Sequence, residues 1–167
     1  MNKLDGLDCA FRKRVEEAIS EMNNDPTLRE IGVKGIIVVE GLRPLAIQMA
    51  YYSRGRMDIK DVKAMYKAAG LYTPTDSECM TKNTWTLKSK HLEGKAVDIA
   101  PSNDGKTIWW NAPLKVWARI GEIGKRHGLI WGGDYGTMPK GKARDVPQQE
   151  GFPHNHNIVW PIEPIGG

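Results

Sequence analysis

Ser89-Lys90-His91-Leu92-Glu93-Gly94-Lys95-Ala96-Val97-Asp98 constrains this chain more than any other stretch. It sets an imidazole and a carboxylate seven residues apart, with a glycine between them and apolar Ala96, Val97 and Ile99 around the acid. The apolar run reads as a strand over 95–100, with the histidine just ahead of it. A second cluster, Glu150-Gly151-Phe152-Pro153-His154-Asn155-His156, lies near the end of the sequence. A lone histidine beside a loop is more often a hydrogen-bonded polar residue than a ligand. Pairing with Asp98 and with a second histidine cluster is what favours a metal. Three N/O ligands and one open position suit a catalytic zinc. His154 and His156 are two positions apart, so in an extended segment both face one side. One can bind the metal while the other reaches the substrate.

The rest of the chain builds the frame. Leu7, Phe11, Val15, Ala18, Ile19 and Met22 recur at helical spacing and predict a helix over 7–22, which Pro26 discourages from continuing. Gly35 to Val39 reads as a buried strand, followed by a turn at Gly41-Leu42-Arg43-Pro44. Further helices are expected over 45–53 and 58–69, the latter ended by Gly70. Residues 73–86, rich in Thr, Ser, Pro and Asn, read as a loop. Asn111 can cap a helix with Pro113 in its first turn and Leu114, Trp117, Ile120 and Ile123 on one face, stopping at Gly128. Short strands are expected at 129–131 and 155–160. This order predicts an α+β fold, a small antiparallel sheet carrying the zinc site and flanked by helices.

Length and composition set the remaining bounds. A chain of 167 residues is long enough for one self-sufficient domain spanning 1–167. No apolar run approaches the ~20 residues of a membrane span. The polar start, Met1 to Asp8, does not read as a secretory signal, so cytoplasmic synthesis is expected. Cys9 and Cys79 match no metal-binding spacing and read as free thiols. The net charge of +4 is spread among acids, with no basic run and no nucleic-acid motif. A mixed solvated surface is the better reading, compatible with an anionic polymer such as bacterial cell wall.

The pattern Ser-x-His-x-x-Gly-x-Ala-x-Asp at Ser89, His91, Gly94, Ala96 and Asp98 resembles the zinc motif of the LAS group. That group contains lysostaphin-type enzymes, D-Ala-D-Ala metallopeptidases and the hedgehog signalling domain. His154-Asn155-His156 resembles its His-x-His motif. The resemblance implies His91, Asp98 and His156 as zinc ligands and His154 as an assisting histidine. It implies Glu150 as general base, with Asp145 as the second candidate. Glu40-Gly41-Leu42-Arg43-Pro44-Leu45-Ala46-Ile47-Gln48 resembles the Gly-x-Arg-Ser-x-x-x-Gln segment of cell-wall peptidases, with Pro44 in place of the Ser. Arg43 would lie beside the site, and Ser89 and Gln48 are expected at the substrate. Trp131-Gly132-Gly133-Asp134 resembles a string found in phage endopeptidases.

The implied activity is zinc-dependent hydrolysis of an amide in the peptide stem or cross-link of peptidoglycan. An endolysin is expected, monomeric, held in the host cytoplasm until lysis, with peptidoglycan peptide as partner and no nucleic acid. The alternative from another class is a non-catalytic, hedgehog-like zinc domain that binds or signals.

Overall fold

The computed structural model describes residues 2–84, 87, 89–132, 134 and 157–159. The first helix, α1 (Cys9–Asn24), starts where the Asp8 carboxylate accepts from the amides of Ala10 and Phe11, satisfying two otherwise orphan donors. Its expected apolar face is the buried one: Phe11, Val15, Ala18 and Met22. Pro26 does not leave a simple break after it. It opens a second short helix, α2 (Pro26–Ile31), capped by Asp25, whose carboxylate accepts from Leu28 N at 2.9 Å. Proline at the first helical position lacks only a donor that the helix could not use.

Strand β1 (Gly35–Glu40) leads through the Leu42–Pro44 turn into α3 (Leu45–Ser53) and α4 (Ile59–Ala68). The stretch expected to be loop contains α5 (Asp76–Met80). Thr75 and Glu78 form a reciprocal capping box there, enough to nucleate one turn within a Thr- and Pro-rich sequence. Strand β2 (Ala96–Ser102) and helix α6 (Leu114–Arg126) follow. Pro113, not Asn111, stands at the α6 N-cap, without a side-chain bond. Leu114 is exposed, and Val116 joins Trp117, Ile120 and Ile123 on the buried face.

Strands β3 (Ile130–Trp131) and β4 (Asn157–Val159) complete a four-stranded sheet in the order β1-β2-β4-β3, with each neighbouring pair antiparallel. The fold is therefore α+β, with a small antiparallel sheet. Helices α1 and α6 close the main core over it, with Phe11, Met22, Leu28, Val97, Trp117 and Ile120 among its members. Helices α3, α4 and α5 share a smaller cluster of Ala50, Val62, Tyr66 and Cys79. Both cysteines are free thiols. No described helix is long and apolar enough to cross a membrane.

Candidate metal centre

Every residue of β2 is buried, so Asp98 enters the site from the middle of the sheet and keeps only 9 % of its surface exposed. The turn ahead of β2 brings His91 back onto it. Gly94 makes this possible with φ of 66°, a left-handed conformation that disfavours side chains. A Cβ there would also stand 2.6 Å from the carbonyl oxygen of Gly6. The Ser89 hydroxyl accepts from His91 N at 3.3 Å, and Lys95 N donates to Lys90 O at 2.9 Å, closing the turn.

His91 Nε2 then lies 3.5 Å from Asp98 Oδ2. Its other ring nitrogen, Nδ1, stands 2.8 Å from the carbonyl oxygen of Gly41. A carbonyl can only accept, so the neutral ring carries its proton on Nδ1 and turns the Nε2 lone pair toward Asp98. Two ligand atoms about 2.0–2.1 Å from a tetrahedral zinc are about 3.4 Å apart, close to the separation found here. The donor set fits zinc. Burial is the strongest influence on the His91 pKa and opposes the charged ring. The hydrogen bond and charge of Asp98 outweigh it, and the pKa lies above the ordinary histidine value. A proton and a metal are alternatives between these two atoms.

Glu40 completes a cluster with His91 and Asp98 whose ligand atoms all lie within 4.8 Å of one another. A bulge in β1 puts it there. Val38 pairs with Ile99, but the register then shifts and Glu40, not Val39, faces Asp98. Bulges re-aim side chains in this way beside functional sites. The sequence reading did not single out Glu40 as a site residue. The signal was the acid three positions before Arg43, at the end of an apolar strand.

Arg43 is held beside the cluster. Its backbone N–H donates to His91 O at 3.0 Å. Its side chain forks onto Glu40, with Nε donating to Oε1 at 2.9 Å and Nη2 to Oε2. Nη1 donates to Gln48 Oε1 at 2.6 Å, and the guanidinium lies 5.2 Å from the centre of the Tyr51 ring. Burial alone would make the guanidinium easier to deprotonate, but Glu40 outweighs it and the pKa is raised. Gln48 is fully enclosed in α3, and its Nε2 donates to Thr84 Oγ1 at 3.3 Å. Gln48 thus bridges Arg43 and the segment that leads to His91.

Glu150, His154, His156 and the second base candidate, Asp145, lie outside the described residues. Asn157, which follows His156 in the sequence, faces Asp98 across β2 and β4. Of Trp131-Gly132-Gly133-Asp134, Trp131 belongs to β3 and Asp134 pairs with Lys125 at 3.0 Å, while Gly133 is outside the described residues. His127, at the end of α6, stands 2.5 Å from Glu21 of α1, away from the cluster.

Residues 82–141, just over a third of the chain, match the family model described as D-alanyl-D-alanine carboxypeptidase. That matched segment contains His91 and Asp98. Among solved structures, the L-Ala D-Glu endopeptidase ChiX of Serratia marcescens is similar at 20% identity and a TM-score of 0.48, over 95% of this chain and 83% of that one. The vancomycin-resistance D,D-pentapeptidase VanY from a VanB-type cassette, solved as a mutant with Zn(II), is similar at 20% identity and a TM-score of 0.46, over 92% and 72%. No curated protein matches the chain.

Proposed function

We propose that this protein is a zinc-dependent peptidoglycan peptidase of the endolysin kind, hydrolysing an amide in the peptide stem or cross-link. The observation that carries the reading is the His91–Asp98 pair, with one ring nitrogen tied to Gly41 and the other turned to the carboxylate. His156 is the third ligand in this reading. The resemblance of His154-Asn155-His156 to the His-x-His motif is what supports that choice.

Bound zinc would supply Lewis acidity and lower the pKa of water to about 7. Glu150 would take the proton from the attacking water and hand it to the leaving amine, with His154 assisting. Arg43 uses three of its five N–H donors on Glu40 and Gln48. The other two would remain for a substrate carboxylate or the oxyanion. Gly41 would hold the His91 ring in its ligating orientation.

The test is digestion of purified peptidoglycan, followed by mass spectrometry of the muropeptides. One peptide bond class should be cleaved, and chelator should abolish the cleavage and zinc restore it. Intact muropeptides in the presence of zinc would overturn the reading.

A further inference from the structure

Two cations compete for one corner of this site. The His91–Asp98 pair suits a dication, and Arg43 is anchored beside it, its backbone N–H on His91 O and its guanidinium on Glu40 and Gln48. Like charges this close repel strongly when water is largely excluded. Between them stands the Glu40 carboxylate, forked onto the guanidinium and within 4.8 Å of both ligand groups. The β1 bulge is what brings Glu40, and not the apolar Val39, to this place. Both oxygens of this carboxylate are engaged by the guanidinium in a charge-assisted, bidentate pair. Its charge still offsets that of Arg43.

We infer that Glu40 is a positioning and charge-compensating residue that lets Arg43 and a zinc ion coexist, and that it thereby sets the zinc affinity without being a zinc ligand. The inference rests on the zinc-peptidase reading and names a residue that reading does not use. It makes the two partners act with opposite sign. Removing the acid leaves an uncompensated cation beside the metal and weakens binding. Removing the arginine leaves an uncompensated anion there and tightens it. Removing both restores the balance.

The experiment is a chelator competition titration that measures zinc affinity for four proteins. These are the unaltered chain, Glu40→Gln, Arg43→Gln and the double variant. Circular dichroism confirms that each is folded. Glu40→Gln should bind zinc about 10- to 100-fold more weakly, the range typical of groups just outside the ligand shell. Arg43→Gln should bind several-fold more tightly, and the double variant should return to within about 3-fold of the unaltered chain, as expected of strongly coupled neighbours. A double variant as weak as Glu40→Gln would make Glu40 a ligand and overturn the inference, as would an unchanged Glu40→Gln. If Glu40→Gln does not fold, the sign for Arg43→Gln decides: weaker or unchanged binding refutes the inference. Failure of the unaltered chain to bind zinc would refute the zinc-peptidase reading itself, a result distinct from any pattern among the variants.

Discussion

Replacing Gly121 with alanine tests how firmly the helical layer holds the sheet behind the metal centre. Gly121 lies on the buried face of α6, against the indole of Trp131 in β3. A Cβ at this position would stand 2.2 Å from Trp131 Cδ2, 2.4 Å from Cε3 and 2.7 Å from Cγ. Carbon atoms pack best at about 3.5–4.0 Å, so ring and helix would have to separate by about 1.3 Å or more. Overpacking of this kind costs about 1–3 kcal/mol. Against it, alanine in a helix interior gains up to about 1 kcal/mol over glycine. The steric effect should win, leaving the variant about 1–2 kcal/mol less stable. At about 2–4 °C per kcal/mol for a domain of this size, the melting temperature should fall by about 2–8 °C. The effect should also reach the metal. Trp131 pairs with Ile158, and Asn157 of the same strand pairs with Asp98. Thermal unfolding followed by circular dichroism, with zinc affinity measured in parallel, checks both consequences. A Gly121→Ala protein that melts at or above the unaltered temperature and keeps its zinc affinity would refute the reasoning.

Other perturbations separate stability from chemistry. Asp25 both caps α2 and pairs with Arg119 of α6 at 2.7 Å, so Asp25→Ala should cost about 2 kcal/mol in urea unfolding, from the cap and the ion pair together. The Arg119 hydrogen bond, chiefly, holds the Asp25 carboxyl below the usual range. Its stabilisation is therefore fully present above the unfolded-state value near 4 and is lost as pH falls through the depressed folded value. Asp25→Ala should accordingly flatten the acid limb of a stability–pH curve, and an unchanged limb would exclude this contribution. Glu150→Gln should retain zinc by elemental analysis while hydrolysis drops about 10²–10⁴-fold; retained activity would move the base to Asp145. Arg43→Lys should leave zinc content near normal but lower turnover of muropeptide, since an ammonium cannot fork onto Glu40 while also reaching Gln48. Unchanged kcat and KM would leave Arg43 without a role in the reaction.

The frame was legible because its elements follow strong local rules. The α1 stripe, the apolar β1 and β2 runs and the α6 stripe each carry a period that matches their secondary structure. The misses have local causes too. Helix α2 was hidden because Pro26 both ends one helix and begins another. Helix α5 was hidden because its capping box is written in the residues that also make loops. His91 and Asp98 could be paired from the sequence, since both lie within one turn and one strand. Glu40 could not, because its place depends on a register shift across strands distant in sequence. Nor does the motif reveal that Gln48 is enclosed. That follows from the packing of α3 beneath the segment around Thr84.

The order β1-β2-β4-β3 has a consequence for the birth of the protein. Strand β4 is the last of the described elements in the sequence, yet it lies inside the sheet, between β2 and β3. During synthesis the other three strands emerge first, and β2 and β3 must wait with unpaired edges for a partner still to be made. Pairing over such sequence distances is slow, and open edges invite association between chains. A nascent chain can form α1, α2 and the antiparallel β1–β2 pair, including His91 and Asp98, before that strand arrives. Closure of the sheet, and with it the setting of Asn157 against Asp98, becomes the final act of folding. Until β4 has been made, the partner that faces Asp98 from that side of the sheet is missing.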